Sequence, residues 1–300
     1  MTTTLGHPGA RRSWHGTVIS DATFALLRDL IRHKSGILLS DGKAPLMVGR
    51  LAPRLRALGL ESYDAYYRYV IGGEDPDELV HMLDCISTNE TQFFREPRQF
   101  EFLEKTVYPE WRRQANQGRR PRRVRVWSAA CSTGEEAYSL AMSLLWHFPV
   151  GDGWDIDVLA TDLSTSALEV ARAGVWSVDR ARHVPHRYLQ RYMRRGTRAE
   201  EGRMRATPEL RASVRLGRVN LHDAELPPGV GRFDLVLCRN VLIYFAERDR
   251  AATLGRLAGR VEPGGYLLLG HAENPGRALS SLESVRTMIY RAPPTTGSRT

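Results

Sequence analysis

Apolar residues recur three and four positions apart through the first quarter of the chain. From about residue 124 they fall instead into short β-rich runs separated by helical stretches. The first spacing lines one face of a helix, and the second marks strands. Ser20 can cap a helix carrying Phe24, Leu27 and Ile31 that stops near Gly36. A second, from Lys43 to Leu58, carries Leu51, Leu55 and Leu58, and Pro53 inside it is expected to kink or divide it. Ser62 can open a third with Tyr66, Tyr69 and Val70, and Asp75-Pro76 a fourth with Leu79, Met82, Leu83 and Ile86. This pattern predicts a disordered leader at 1–16, an N-terminal helical domain at 17–90, and a linker with a connecting helix from Pro97 at 91–123.

Strands are expected at Val124–Trp127, Asp155–Ala160, Phe233–Cys238, Tyr266–Leu269 and Ser284–Arg291, with helical runs between them. Such alternation implies a mainly parallel sheet with right-handed crossovers, a doubly wound α/β domain over 124–292 with a frayed tail at 293–300. Residues 176–220 break the alternation. Thirteen arginines lie between Arg172 and Arg218 against four acids, and small strands around a glycine-containing turn predict an inserted, basic, antiparallel β-subdomain at about 185–218.

Three hundred residues make one large domain or two. The net charge of +9 comes almost wholly from arginine, because the only lysines are Lys34, Lys43 and Lys105. Such a balance favours acidic partners without choosing among nucleic acid, anionic membrane and an acidic protein surface. Cys85, Cys131 and Cys238 are an odd number without a C-x-x-C pair, which argues against a disulfide framework and a zinc site. The histidines offer no metal-ligand spacing, and none is expected to hold a metal. No stretch has the apolar core of a signal peptide or the length of a membrane helix, so a soluble cytoplasmic protein is expected.

Candidate chemistry starts at the turn after the first strand, Ala129-Ala130-Cys131-Ser132-Thr133-Gly134. Its small residues allow close approach to the backbone where α/β sheets bind ligands. A dinucleotide would call for G-x-G-x-x-G there. The turn has one glycine and is followed by Glu135 and Glu136, which repel pyrophosphate and suit an amino group or a sulfonium. S-adenosylmethionine (AdoMet) has both positive groups and no phosphate. Asp162, ending the second strand, is placed for ribose hydroxyls. The polar run Ser87 to Thr91, leading into Phe93-Phe94-Arg95, is either a plain linker or a source of ligand-binding groups at a domain seam. Between Lys43 and Leu60 stand Lys43, Arg50, Arg54 and Arg56 and no acid, which reads as a solvated face or as a docking face.

Six segments together resemble the CheR-type chemotaxis receptor methyltransferases over roughly residues 17–292. They are STNETQFFRE (Ser87 to Glu96), RVWSAACSTGEEAYS (Arg125 to Ser139), ATDLS (Ala160 to Ser164), the RGT…EG turn (Arg195 to Gly202), VNL (Val219 to Leu221) and FDLVLCRNVLIYF (Phe233 to Phe245). Ala137 departs from the proline more common there in the family. The resemblance implies a class I AdoMet-dependent methyltransferase, a Rossmann-like doubly wound sheet with a small N-terminal helical domain and the β-insert. It implies esterification of glutamate side chains on chemoreceptors, with S-adenosylhomocysteine as product. Cofactor contacts are implied for Asn89, Thr91, Arg95, Glu135, Asp162, Asn220, Leu221, Arg239 and Asn240, and Arg95 and Tyr244 are implied beside the transferred methyl group.

Methyl transfer to a carboxylate that is already ionised needs no general base, so Arg95 and Tyr244 are expected to orient rather than to exchange protons. The implied partners are the glutamate-rich cytoplasmic helices of chemoreceptors. Arg50, Arg54 and Arg56 on the second helix are complementary to them in charge, and the β-insert offers a place for a receptor tail. A monomer is expected, with neither nucleic acid nor membrane insertion involved. Two other functions compete. A nucleic-acid methyltransferase acting on base amino groups would carry an N/D-P-P-Y/F/W motif where this chain has Cys238-Arg239-Asn240-Val241, and a non-catalytic AdoMet-binding adaptor would be favoured if Arg95 or Tyr244 were replaced.

Overall fold

A computed structural model of the chain describes residues 12–14, 17–227 and 230–294. Its contacts divide into two units: one runs to Thr88 and takes in Tyr244–Ala246, and the other comprises Asn89–Ile243 with the chain from Glu247.

The first unit opens with the strands β1 (Arg12–Trp14) and β2 (Thr17–Ile19), which pair antiparallel. Strand β1 falls within the stretch expected to be a disordered leader, and the rest of that stretch lies outside the described residues. Helix α1 (Asp21–Ser35) is capped by the Ser20 side chain, which accepts from the Thr23 N–H at 3.1 Å, and it ends on Gly36 in the left-handed conformation. Helix α2 (Ala44–Ala57) runs unbroken through Pro53, so of the two expected outcomes, a kink or a division, the helix is not divided. Pro53 and Gly49 are both exposed, so the Gly49 carbonyl that Pro53 deprives of a donor lies on the face of the helix open to water. Helices α3 (Tyr63–Gly72) and α4 (Glu78–Ile86) follow, and their buried side chains, Tyr66 and Val70 with Met82, Leu83 and Ile86, supply part of the unit's core. Far along the chain, Phe245 returns to this unit in a β-bridge with Ile37, and the Tyr244 carbonyl accepts from the Leu38 N–H at 2.8 Å.

The second unit begins with α5 (Pro97–Phe102), a π-helical turn and α6 (Tyr108–Asn116). Then come β3 (Arg123–Ala129), α7 (Glu135–His147), β4 (Asp155–Asp162) and α8 (Thr165–Ala173). The insert holds β5 (Val175–Ser177), α9 (His186–Tyr192), β6 (Met193–Arg195) and β7 (Arg203–Ala206), whose strands form their own antiparallel sheet in the order β5-β7-β6. Helix α10 (Pro208–Ala212) leads back to β8 (Val214–Arg218). The chain finishes with β9 (Phe233–Cys238), α11 (Glu247–Ala258), β10 (Val261–Leu269), β11 (Glu283–Arg286) and β12 (Ile289–Arg291).

The main sheet has the order β11-β12-β10-β9-β3-β4-β8. Strands β8, β4, β3, β9 and β10 are parallel, and β12 runs antiparallel to β10. The chain starts at the centre with β3, moves out to β8, and recrosses to lay β9 on the free side of β3. That reversal is the place where doubly wound sheets open a crevice for ligands. Helix α7 is buried from Glu135 to Leu145, on polar as well as apolar positions, because the sheet covers one side and α9 of the insert and α10 approach another.

Two strand assignments differ from the sequence reading. Val214–Arg218, expected inside the insert, is the edge strand of the main sheet, so the small sheet spans 175–206 rather than 185–218. Its arginines disguise it, as charge commonly does on an edge, and Arg215 ties it to Asp157 of β4 at 2.7 Å. Ser284–Arg291, expected as one strand, is the hairpin of β11 and β12, turning at Met288 with a φ of 60°.

Candidate active site

At the carboxyl end of the sheet, the turn from β3 to α7 folds back over β4. The N–H groups of Ala130 and Cys131 both donate to the Thr161 carbonyl, at 2.8 and 2.9 Å. Ala130, Ser132 and Gly134 hold φ values of 70°, 52° and 96°, an expensive run for residues with a side chain. At Gly134 a Cβ would lie 2.9 Å from that of Ala171, so glycine is required by space as well as by φ. Asp162 organises this turn. One carboxylate oxygen accepts from the Ser132 N–H at 2.7 Å and the other from the Ser164 N–H at 2.9 Å. The acid expected for ribose is thus also a structural bracket.

The segment from Asn89 to Glu96 is fastened to the same turn. The Asn89 carbonyl accepts from the Ser132 hydroxyl at 2.9 Å, and its side-chain amide donates to Ser164 Oγ at 3.3 Å. Phe93 packs edge-on against Trp176, and Phe94 stacks on Tyr188 with ring centroids 5.3 Å apart. Both partners belong to the insert, so the insert buttresses this segment. The Phe94 N–H donates to Ser139 of α7 at 2.9 Å. Phe94 and Glu96 also have positive φ, of 50° and 59°. Between them Arg95 is half-buried. Its guanidinium makes one hydrogen bond, to the Glu90 carbonyl at 3.3 Å, and no ion pair among the described residues.

Glu135 and Glu136 face different tasks. Glu136 accepts from Ser128 at 2.6 Å and from Arg239 Nε at 2.7 Å, a buried ion pair inside the sheet's end. Arg239 also donates to the Arg95 carbonyl at 2.7 Å and to Gln99 at 3.3 Å, so its side chain clamps β9 to the 95–99 segment. Glu135 is 1% exposed. One of its oxygens accepts from Thr133 at 2.6 Å, and the other, Oε1, has no hydrogen-bond donor and only the Arg180 guanidinium at 3.4 Å.

Asn240 follows Arg239 with a φ of 60° and a buried side-chain oxygen that lacks a donor. Gly270 presses against it, since a Cβ there would come within 2.9 Å of its N–H. Asn220 folds its own loop, donating to Asp223 at 2.7 Å and accepting from the His222 N–H at 3.1 Å. Leu221 is buried, and the Val219 N–H before it reaches the Asp162 carbonyl at 3.0 Å.

The structure therefore gathers Asn89, Thr91, Arg95, Glu135, Asp162, Asn220, Leu221, Arg239 and Asn240 into the second unit around the ends of β3, β4 and β9. Tyr244 and the second-helix arginines belong to the first unit. There Arg54 grips the fully buried Glu78, its Nε 3.0 and 2.9 Å from the two oxygens, while Tyr66 donates to the same carboxylate at 2.7 Å. Arg50 donates to the carbonyls of Ile86 and Ser87 and to the Thr88 hydroxyl, closing the end of α4. Two of the three cations expected on a docking face, Arg50 and Arg54, are engaged inside their own unit, and Arg56 is exposed.

Three contributors had no sequence signal. Arg180 of the insert reaches the Thr91 carbonyl at 2.6 Å as well as Glu135. Ser132 was read only as a small residue. Glu273, after β10, accepts from the Val241 N–H at 3.0 Å and holds the loop beyond Asn240. Burial pushes its carboxyl above the ordinary range, backbone N–H groups at 240–242 oppose that, and nearby Glu96 adds to it.

The residues fit AdoMet. A buried carboxylate oxygen without a donor, at the head of α7, matches an ammonium group, and no nest of glycines is present for phosphates.

A family model for the CheR methyltransferase SAM binding domain matches residues 89–289, and one for the CheR methyltransferase all-alpha domain matches 22–87. The chemotaxis protein methyltransferase of Salmonella typhimurium is 37% identical over 257 residues, 85% of either chain. Chemotaxis protein methyltransferase 2 of Pseudomonas aeruginosa is 34% identical over 267 residues, 89% of this chain and 91% of its own. Among solved structures, a glycopeptide N-methyltransferase complexed with AdoMet aligns over 54% of this chain and 53% of its own, at 21% identity and a TM-score of 0.30, too distant to add weight. The strand order is that of a class I AdoMet-dependent methyltransferase, the helical N-terminal unit is the part matched by the all-alpha domain model, and the chain belongs to the CheR methyltransferase family.

Proposed function

We propose that this protein methylates glutamate side chains of chemoreceptors, forming methyl esters and leaving S-adenosylhomocysteine. The observation that carries the reading is a pairing of opposites on two segments fastened to each other, the head of α7 and the stretch from Asn89 to Glu96. Glu135 offers a buried oxygen without a donor, and Arg95 a guanidinium without an acid. The first suits a cationic amino acid, and the second an incoming carboxylate. The names of the relatives support chemoreceptors as the source of that carboxylate.

When bound, AdoMet supplies a methyl group on a positively charged sulfur, and the carboxylate oxygen bonds to that carbon as the carbon–sulfur bond breaks with its electron pair left on sulfur. Glu135 holds the amino end and Asp162 the ribose end. Asn89, Thr91, Asn220, Leu221 and Asn240 line the remainder, and Arg239 acts by fixing Arg95 and Glu136. Arg95 and the Tyr244 hydroxyl orient the incoming glutamate, which at an ordinary pKa near ~4.3 is already ionised. Such alignment can be worth roughly 7–11 kcal/mol of the barrier. For the receptor helices, Arg56 is the exposed cation of α2, and the inserted sheet is a second contact for a receptor tail.

Incubation with labelled AdoMet and either receptor or RNA tests this. Label on receptor that alkali releases as methanol is expected. Alkali-stable label on RNA would replace the reading with a nucleic-acid methyltransferase, and binding of AdoMet without transfer to any acceptor would replace it with an adaptor. A bell-shaped pH–rate profile that disappears in Tyr244→Phe would contradict the orienting role.

A further inference from the structure

The opposite end of the main sheet has a feature that methyl transfer does not use. Where β3 and β9 begin and β10 makes its bulge, a cleft of about 330 Å³ is lined by Arg119, Arg120, Arg123, Arg125, Arg232 and Arg291, with Asp234 and Glu262 as its acids. Three of the arginines are already paired. Arg120 donates to Asp234 at 2.9 Å, Arg125 to Asp157 at 3.3 Å and Arg291 to Glu110 at 2.7 Å. Asp234 is saturated further by the Arg125 N–H at 2.8 Å. Arg119, Arg123 and Arg232 have no ion pair among the described residues, although Arg119 donates to the Gln117 side chain and Arg232 to the Val261 carbonyl at 3.2 Å; against them stands one acid of the lining without an ion pair, Glu262.

A run such as Arg119-Arg120-Pro121-Arg122-Arg123 on a convex surface would be solvated and unremarked. Here it is folded into a concavity, and one of its members is stripped of water. The Arg120 side chain is 12% exposed and stacked 4.8 Å over Trp111, and its Nε–H is buried without an acceptor. Burial lowers its pKa against the pull of Asp234. Crowded cations with a buried, unaccepted donor lack an anion.

We propose that this cleft binds a small compound carrying linked phosphates, held by the guanidinium groups of Arg119, Arg123 and Arg232 beside Arg120. Planar guanidinium forks match phosphate oxygens two at a time. The volume is at the small end of ligand pockets, which suits a diphosphate group. Because the cleft lies across the sheet from the carboxyl ends of the strands, its occupant is a separate ligand rather than a part of the methyl-transfer site.

The test is calorimetric titration of the full chain with inorganic pyrophosphate at low ionic strength. Saturable binding of one pyrophosphate per chain is expected, weakened at least tenfold in Arg123→Gln/Arg232→Gln. Arg194→Gln/Arg195→Gln, which removes equal charge from the insert, is expected to leave it unchanged. AdoMet binding, measured in parallel, should be the same in all three proteins and reports intact folding. Non-saturable binding, equal weakening in both double variants, or association with vesicles containing phosphatidylglycerol in the absence of any pyrophosphate binding would each overturn the proposal.

Discussion

Glu135 and Glu136 are adjacent, chemically identical and differently employed. Glu136 is satisfied by Ser128 and Arg239, whereas Glu135 keeps one oxygen without a donor. Glu135→Gln should therefore cost little stability while weakening AdoMet binding roughly 10- to 150-fold, the range for a lost hydrogen bond to a charged group. Equilibrium binding and a thermal melt on the same sample check both halves. Glu273 offers a pH readout of the loop it holds. Its carboxyl is raised above the ordinary value, so the folded state binds the proton more tightly than the unfolded one. Its favourable contribution is complete below about pH 4.3 and is lost as pH rises through the folded value. Relative to the wild type, Glu273→Gln should gain stability across that window and then level off. A wild type that gains on the variant as pH rises would refute this.

At the scale of elements, α2 carries the sharpest contrast between reading and result. The run of arginines without an acid was visible in the sequence. Glu78, which neutralises Arg54, was not, because the two are 24 residues apart and only the packing of α2 against α4 joins them. Removing one partner strands a buried charge, so Arg54→Ala should lower the unfolding free energy by about 3–5 kcal/mol. Arg56→Ala should change it by no more than about 0.5 kcal/mol. Chemical denaturation separates them, and charge reversal at position 54 reports folding before it reports docking. What was legible elsewhere follows the same division. Ser20 and Ser62 announce helix starts because a cap is local, and each makes its bond three residues on. Strand β8 is assigned to the insert from its sequence because its membership of the main sheet rests on β4 beside it. The hairpin of β11 and β12 was read as one strand because its turn has no glycine.

For the whole molecule, the charge of +9 bears on encounter with an acidic partner. Receptor methylation should slow as ionic strength rises from about 20 to about 200 mM, chiefly through kcat/KM, with AdoMet affinity changing much less, since the carboxylates proposed to hold it, Glu135 and Asp162, are buried. Steady-state kinetics with both substrates varied would show it, and equal salt sensitivity of both would speak against docking by charge. The site was legible as a set of motifs because those segments share the carboxyl ends of neighbouring strands. Its supports, Arg180 and Glu273, were not, because each acts on residues far away in sequence.

The bridge between Ile37 and Phe245 has a consequence for how the protein is made. A ribosome finishes the four helices of the first unit long before it reaches the residues that close it, so that unit must wait, unsealed, through the synthesis of the roughly 155 residues from Asn89 to Ile243. A fragment cut after Thr88 should accordingly be less resistant to protease than the same residues in the full chain. Supplying the tail of the unit in trans, as a peptide spanning Leu242–Ala246, offers a direct way to ask how much protection that late stitch provides.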